Sequence, residues 1–200
     1  MKALQAFVVV AWLALLVIPA HADDIEVRDA QLRTTEEGLV LDADFDFELS
    51  PRLADVVANG VPLYFRVDFE LTRRRWYWFD ESAASKRLQI RLSYHALSRQ
   101  YRLSTGLLQQ SFANLDEALN VLKHIRNWLV VERTVTFDEA DYDAAVRMRL
   151  DPTLLPKPFQ LSALTSRELQ LDSAWKRFTV RSPRQLPAPV ESREPKAADR

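Results

Sequence analysis

The chain has 200 residues, with 27 Lys plus Arg against 28 Asp plus Glu, no cysteine and only 3 glycines. A near-neutral chain lacks the uniform attraction to phosphates on which dedicated nucleic-acid binders rely. Without cysteine there is no disulfide scaffold, thiolate metal site, cysteine nucleophile or lipid-modified cysteine. Hydrophobic residues at 48% and charged residues at 28% exclude a disordered chain and a polytopic membrane protein.

Residues 1–22 have the layout of a secretory signal: Lys2, the apolar run Ala6 to Ile18, then Ala20-His21-Ala22 ahead of Asp23-Asp24. As a helix at ~1.5 Å per residue the run reaches only about 20 Å, short of a hydrocarbon layer of roughly 30 Å. Cleavage after Ala22 and a periplasmic location are therefore expected, with an uncleaved membrane anchor as the rival.

Ile25 to Arg33 reads as a strand and Thr34 to Gly38 as the turn of a hairpin. Residues 39–49 alternate strictly, with Leu39, Leu41, Ala43, Phe45, Phe47 and Leu49 on one face and Val40, Asp42, Asp44, Asp46 and Glu48 on the other, which predicts a half-buried strand. Ser50, Pro51 and Asn59-Gly60 punctuate a short helix over 51–58. Val61 to Leu71 alternates again, and then the phase slips: Arg73 and Arg75 take positions that apolar residues held before, so a bulge or bend is expected within Thr72 to Arg75. After a polar loop at Asp80 to Lys86, Leu88, Ile90, Leu92 and Tyr94 alternate, with Trp76 and Trp78 as cross-strand neighbours.

Gln100 to Ser104 and Leu107 to Phe112 form two further strands joined at Thr105-Gly106. Asn114 with Glu117 is a capping box opening a helix with the stripe Leu115, Ala118, Leu119, Leu122 and Ile125, expected to end near Asn127 before a β-like run Trp128 to Thr136. Asp138 to Asp143 reads as an acidic loop and Tyr142 to Leu150 as a strand. Pro156-Lys157-Pro158 reads as extended, and Ala174 to Arg181 as a last strand. Residues 183–200, with four prolines among charged and small residues, read as a disordered tail. The prediction is one antiparallel β-sandwich-like domain over 23–182, mainly β with two helices.

Chemistry is sparse. The candidate interaction surface is Arg73, Arg74, Arg75, Tyr77 and His95, where aromatic and guanidinium groups adjoin; the competing reading buries Trp76 and Trp78 and pairs the three arginines with Asp42, Asp44 and Asp46. No catalytic residues, cofactor or metal are expected. Carboxylates at i, i+2 and i+4 of a strand point in parallel and cannot wrap one ion, and Asp138, Glu139, Asp141 and Asp143 lack the glycine of an EF-hand. His95 and His124 make no zinc motif, and no G-x-S-x-G elbow exists. The residues point to a binding domain with a protein partner and no nucleic acid. Two alternatives stand beside it: a small-ligand binder or hydrolase with a pocket between sheets, and an envelope assembly or chaperone factor acting by strand addition. An uncovered, uncharged edge strand would distinguish the last.

Trp76-Tyr77-Trp78, Leu92-Ser93-Tyr94-His95, Arg99-Gln100-Tyr101, the helix start Leu115 to Leu119, Leu155-Pro156-Lys157-Pro158 and Ser173-Ala174-Trp175 together resemble domain-of-unknown-function family 4390, exported proteins of Gram-negative bacteria. The resemblance spans about Ile25 to Val180. It implies a genomic association with a nitrogen-regulation-type sensor kinase, hence a periplasmic accessory role beside an inner-membrane kinase, and it supplies no catalytic or ligand residues.

Overall fold

A computed structural model describes residues 25–73, 81–135, 137–138, 140–157, 159–160 and 169–181. The signal-like residues 1–22, the aromatic run at 76–78 and the tail 183–200 lie outside the described residues.

The elements run β1 (Ile25–Thr34), β2 (Gly38–Phe47), α1 (Pro51–Ala58), β3 (Leu63–Arg73), β4 (Glu81–His95), β5 (Gln100–Thr105), β6 (Leu108–Phe112), α2 (Leu115–Lys123), β7 (His124–Glu132), β8 (Asp141–Leu150), a 3-10 turn (Pro152–Leu154) and β9 (Lys176–Arg181). Two antiparallel sheets pack face to face as a β-sandwich: a small one in the order β1-β2-β7 and a large one in the order β6-β5-β4-β3-β8-β9. The alternation in β2, β3 and β8 turns Leu41, Phe45, Phe47, Phe65, Phe69 and Met148 into one shared core. Phe47 stacks on Phe65 across the sandwich with centroids 5.7 Å apart, and Trp128 meets Phe69 edge-on at 6.5 Å. A fully buried Phe contributes about 1.5–3 kcal/mol by leaving water, so this seam is a principal source of stability.

The three strands of the small sheet cannot cover six, and the helices add their apolar faces to the core. In α1, Ser50 Oγ accepts the Leu53 N–H at 3.2 Å, Pro51 occupies the first turn, and Leu53, Val56 and Val57 are buried. In α2, Asn114 Oδ1 accepts the Glu117 N–H at 2.8 Å, while Glu117 reaches back to the Ala113 N–H at 3.3 Å. Among the described residues no helix is long and apolar enough to cross a membrane.

Three expectations need correction, and a fourth, the irregularity near Thr72, is located on the partner strand. The helix α2 ends at Lys123, about a turn earlier than Asn127, and Ile125 is buried from β7; pairing with β2 takes precedence over the helical stripe. The irregularity expected around Thr72 is found in the ladder between β3 and β4, where Leu71 faces Ala84 and Thr72 faces Ser82, so Ala83 of β4 is the extra residue; the ladder between β3 and β8 runs unbroken to Arg73, and Arg74 and Arg75 lie outside the described residues. β4 begins at Glu81 and β8 at Asp141, which shortens both polar loops, because cross-strand pairing extends strands beyond their apolar stretch. Finally, Lys157, Phe159 and Gln160 are helical, with the Pro156 carbonyl accepting from Phe159 N–H at 2.9 Å and Gln160 N–H at 3.2 Å. The first turn of a helix has no N–H bond for a proline to remove, so Pro156 does not force an extended chain; Pro158 lies outside the described residues.

Candidate interaction surface

Of the five residues singled out in the sequence, Arg74, Arg75 and Tyr77 lie outside the described residues. Arg73 ends β3 and donates through Nη1 to Asp138 Oδ2 at 2.6 Å. His95 ends β4, where Nδ1 accepts the Ser98 N–H at 3.3 Å and lies 3.0 Å from Ser98 Oγ, an arrangement that puts the neutral ring's proton on Nε2. Leu63 faces Leu92 and Arg73 faces Glu81, so the two residues sit at opposite ends of one ladder, about 40 Å apart at ~3.3 Å per residue. They share no patch.

The acidic face of β2 is not paired with Arg73, because β2 and β3 belong to different sheets. Its cations come from its own neighbours: Arg28 and Arg33 of β1, Lys123 at the end of α2 and Arg126 of β7. Arg33 Nε reaches Asp42 Oδ2 at 2.5 Å, Arg126 Nη2 pairs with Asp44, and Lys123 Nζ is 3.3 Å from Asp46 Oδ1. Asp42 is only 7% exposed, so this face is covered at that position, while Asp44 and Asp46 stay partly open to solvent and Glu48 is exposed. Burial pushes the Asp42 carboxyl up, but the Arg33 hydrogen bond, the Asn127 N–H and the charges of Arg33 and Arg126 outweigh it and hold the group below the usual carboxylate range.

The outer face of the large sheet is different in kind. Asp68 of β3 is also 7% exposed and is approached by four arginines: Arg87 Nε at 3.2 Å, Arg147 Nε at 3.1 Å, Arg149 Nη2 at 3.2 Å and Arg66 Nε at 3.4 Å. Arg66 also reaches Asp151 Oδ2 at 3.3 Å, and Trp175 stacks on Arg147 at 4.3 Å. Arg66 Nε lies within ion-pair range of Asp68 but is not aligned for a hydrogen bond, and it and Arg149 Nε are buried without a hydrogen-bond partner. Sequence reading missed this cluster. The available signal was parity: Arg66 and Asp68 in β3, Arg87 and Arg91 in β4, and Arg147 and Arg149 in β8 all occupy the outward phase.

A sheet exposes unpaired backbone at its edges, and proteins guard such edges with charges and bulges. Three of the four edges here are guarded. β1 carries Glu26, Arg28, Asp29 and Arg33 and has a register shift between Val27 and Asp29. β7 carries His124, Arg126 and Glu132 and two register irregularities against β2. β9 carries Lys176, Arg177 and Arg181. The fourth, β6, is Leu108-Gln109-Gln110-Ser111-Phe112, with no charge and no proline; it is paired in regular register with β5 and exposed up to Phe112. Among the described residues no strand pairs with its outer side. Gly106, at φ +58°, makes the tight turn that brings Leu108 opposite Thr105, and Leu107 and Leu108 beside it are exposed.

A model of the family described as Domain of unknown function (DUF4390) matches residues 22–179. No curated protein and no solved structure matches the chain. The match covers both sheets, both helices and all but the last two residues of β9, and on it the chain belongs to the DUF4390 family.

Proposed function

We propose that this chain is an exported, non-catalytic binding domain that takes up an extended segment of a partner protein by strand addition at β6. The observation that carries the reading is the contrast among the four edges: β1, β7 and β9 hold charges or bulges, and β6 holds neither. An added strand would continue the large sheet through main-chain hydrogen bonds, which supply affinity, while alternate side chains supply specificity. On the core side it meets Leu108, Gln110 and Phe112, in phase with buried Leu103; on the outer side it meets Gln109 and Ser111. The matching segment therefore alternates apolar and small polar residues and lacks charge.

The signal-like layout of residues 1–22 supports export to the periplasm. The kinase association implied by the family resemblance makes the periplasmic part of an inner-membrane sensor kinase the first partner to test. A binding role fits the described histidines: His95 is engaged by Ser98, and His124 Nδ1 lies 2.6 Å from the Asn120 carbonyl. The test is binding of that kinase segment to the purified mature chain and to the variant carrying Gln109→Lys with Ser111→Lys. Loss of binding with an unchanged unfolding temperature supports the proposal. Equal binding by the two chains refutes it.

A further inference from the structure

The side chains of β6 are symmetric in their chemistry about its central residue. Leu108 and Phe112, two places to either side of Gln110, are apolar, and Gln109 and Ser111, one place to either side, are uncharged and hydrogen-bonding. A twofold axis through Gln110 therefore sets Leu108 against Phe112, Gln109 against Ser111 and Gln110 against itself in a second copy, each position meeting its own kind. One place further, exposed Leu107 meets exposed Ala113. Residues 103–115 carry no charge, so no like charges approach across the axis. By contrast, β9 paired with its own copy would set Lys176, Arg177 and Arg181 against a second set of the same cations. The helix α2 packs against β5, β6, β2 and β7, so it lies over the sandwich and not across the edge of β6.

The backbone has the matching pattern. Thr105 faces Leu108 across the two-residue loop Gly106-Leu107, and such a loop is closed by a hydrogen-bonded pair. By alternation Leu108, Gln110 and Phe112 direct their N–H and C=O groups to β5, while those of Gln109 and Ser111 point off the sheet. We infer that β6 pairs antiparallel with β6 of a second copy of this chain, joining two large sheets into one across a twofold axis at Gln110. The inference rests on the reading of β6 as an open edge, and it names what occupies that edge when no partner segment is bound. Gln109 and Ser111 then form hydrogen-bonded pairs that exchange about four main-chain bonds, and the two Gln110 residues meet at a non-hydrogen-bonded position with Cα atoms about 4.5 Å apart. Tyr94 faces Tyr101 with centroids 4.9 Å apart, Tyr101 faces Phe112, and Leu108 of the second copy continues that row. Sliding the copy by one residue sets outward groups against groups already bonded to β5, and sliding it by two sets Gln110 against Leu108 or Phe112. A five-residue edge is far smaller than the roughly 20–30 residues a side of a standard interface, so the dimer is weak, and a partner segment that uses the same backbone groups displaces it.

The test uses purified residues 23–200, which include every described residue. Sedimentation equilibrium from about 1 μM to 1 mM should show monomer giving way to dimer. Gln109→Lys with Ser111→Lys sets lysine against lysine and should stay monomeric, with an unchanged unfolding temperature at low concentration. The chain has no cysteine, so a single introduced thiol reports the register. Under mild oxidation Gln110→Cys should form a disulfide-linked dimer, since the axis brings its two Cα atoms within the ~4.4–6.8 Å that a disulfide spans. Leu108→Cys, also exposed and open to chance collision, should not, since its own copy lies about 13 Å away along the strand. Monomer at every concentration, or equal cross-linking from the two positions, overturns the dimer. A monomer that still binds the kinase segment leaves strand addition standing without the dimer; a dimer cross-linked at 110 that binds no partner segment keeps the dimer and refutes strand addition to a partner.

Discussion

The backbone N–H of Asn127 donates to Asp42 Oδ1 at 2.8 Å from a left-handed conformation, φ +52°. The register of β2 and β7 jumps at this point: Leu41 faces Trp128 and Ala43 faces Ile125, so Arg126 and Asn127 together oppose Asp42. The irregularity turns a backbone donor inward to a carboxylate that the sandwich has buried, and Arg33 supplies the counter-charge from the other side.

Asp42→Asn should cost about 1–3 kcal/mol at pH 7, since it keeps an acceptor for the Asn127 N–H but loses the charge that Arg33 meets. Because folding lowers the Asp42 pKa, its ionised form contributes stability in full above the unfolded value of about 3.9. That contribution is lost as pH falls through this value toward the folded one. Urea unfolding of both proteins across pH 3 to 7 should give curves that converge below about pH 4; a constant gap would show that the charge is not what Asn replaced.

Asn127→Ala should cost about 1–2 kcal/mol, and Asn127→Gly less, because alanine resists a positive φ and glycine does not. Both lose the Arg33 Nη2 bond to Asn127 Oδ1 at 2.7 Å, so the difference between the two variants in thermal or urea unfolding isolates the backbone contribution.

Phe65→Ala should destabilise by about 3–5 kcal/mol, the range for deleting a fully buried ring. Phe65 is 0% exposed and stacked on Phe47 across the two sheets. A cost near 1 kcal/mol in urea unfolding would mean that the two sheets do not share one core.

Asp68→Ala should cost about 3–5 kcal/mol, as expected when one partner of a buried ionic cluster is removed. The loss should shrink in high salt, where repulsion among the remaining arginines is screened. A cost independent of salt would mean that packing around Asp68, and not its charge, holds the cluster.

Much of the fold is written in local patterns. The alternations in β2, β3 and β8, the Ser50 and Asn114 caps and the Gly60 and Gly106 turns, both at positive φ, name their elements directly. What local pattern does not carry is which strand lies beside which. Pairing Arg73 with the aspartates of β2 requires β2 and β3 to be neighbours, and the α1 connection places them in different sheets. The same ignorance hid the Asp68 cluster, whose members come from β3, β4 and β8 and converge only in register. The motif Ser173-Ala174-Trp175 was visible as residues but not as roles: Ser173 Oγ accepts the Met148 N–H at 3.0 Å and Trp175 covers Arg147. The bareness of β6 could be read in sequence, since residues 103–115 carry no charge, but its place at an edge could not.

Site-directed photo-crosslinking in cells tests strand addition at β6 most directly. A photoreactive residue at Gln110 of β6 is compared with one at Thr179 of the charged edge β9, each in the full chain of 200 residues. The account predicts a discrete protein cross-link from position 110, absent from position 179, and lost when Gln109→Lys and Ser111→Lys charge the edge. Equal cross-linking from both positions, or a cross-link at 110 that survives those two charges, would contradict it.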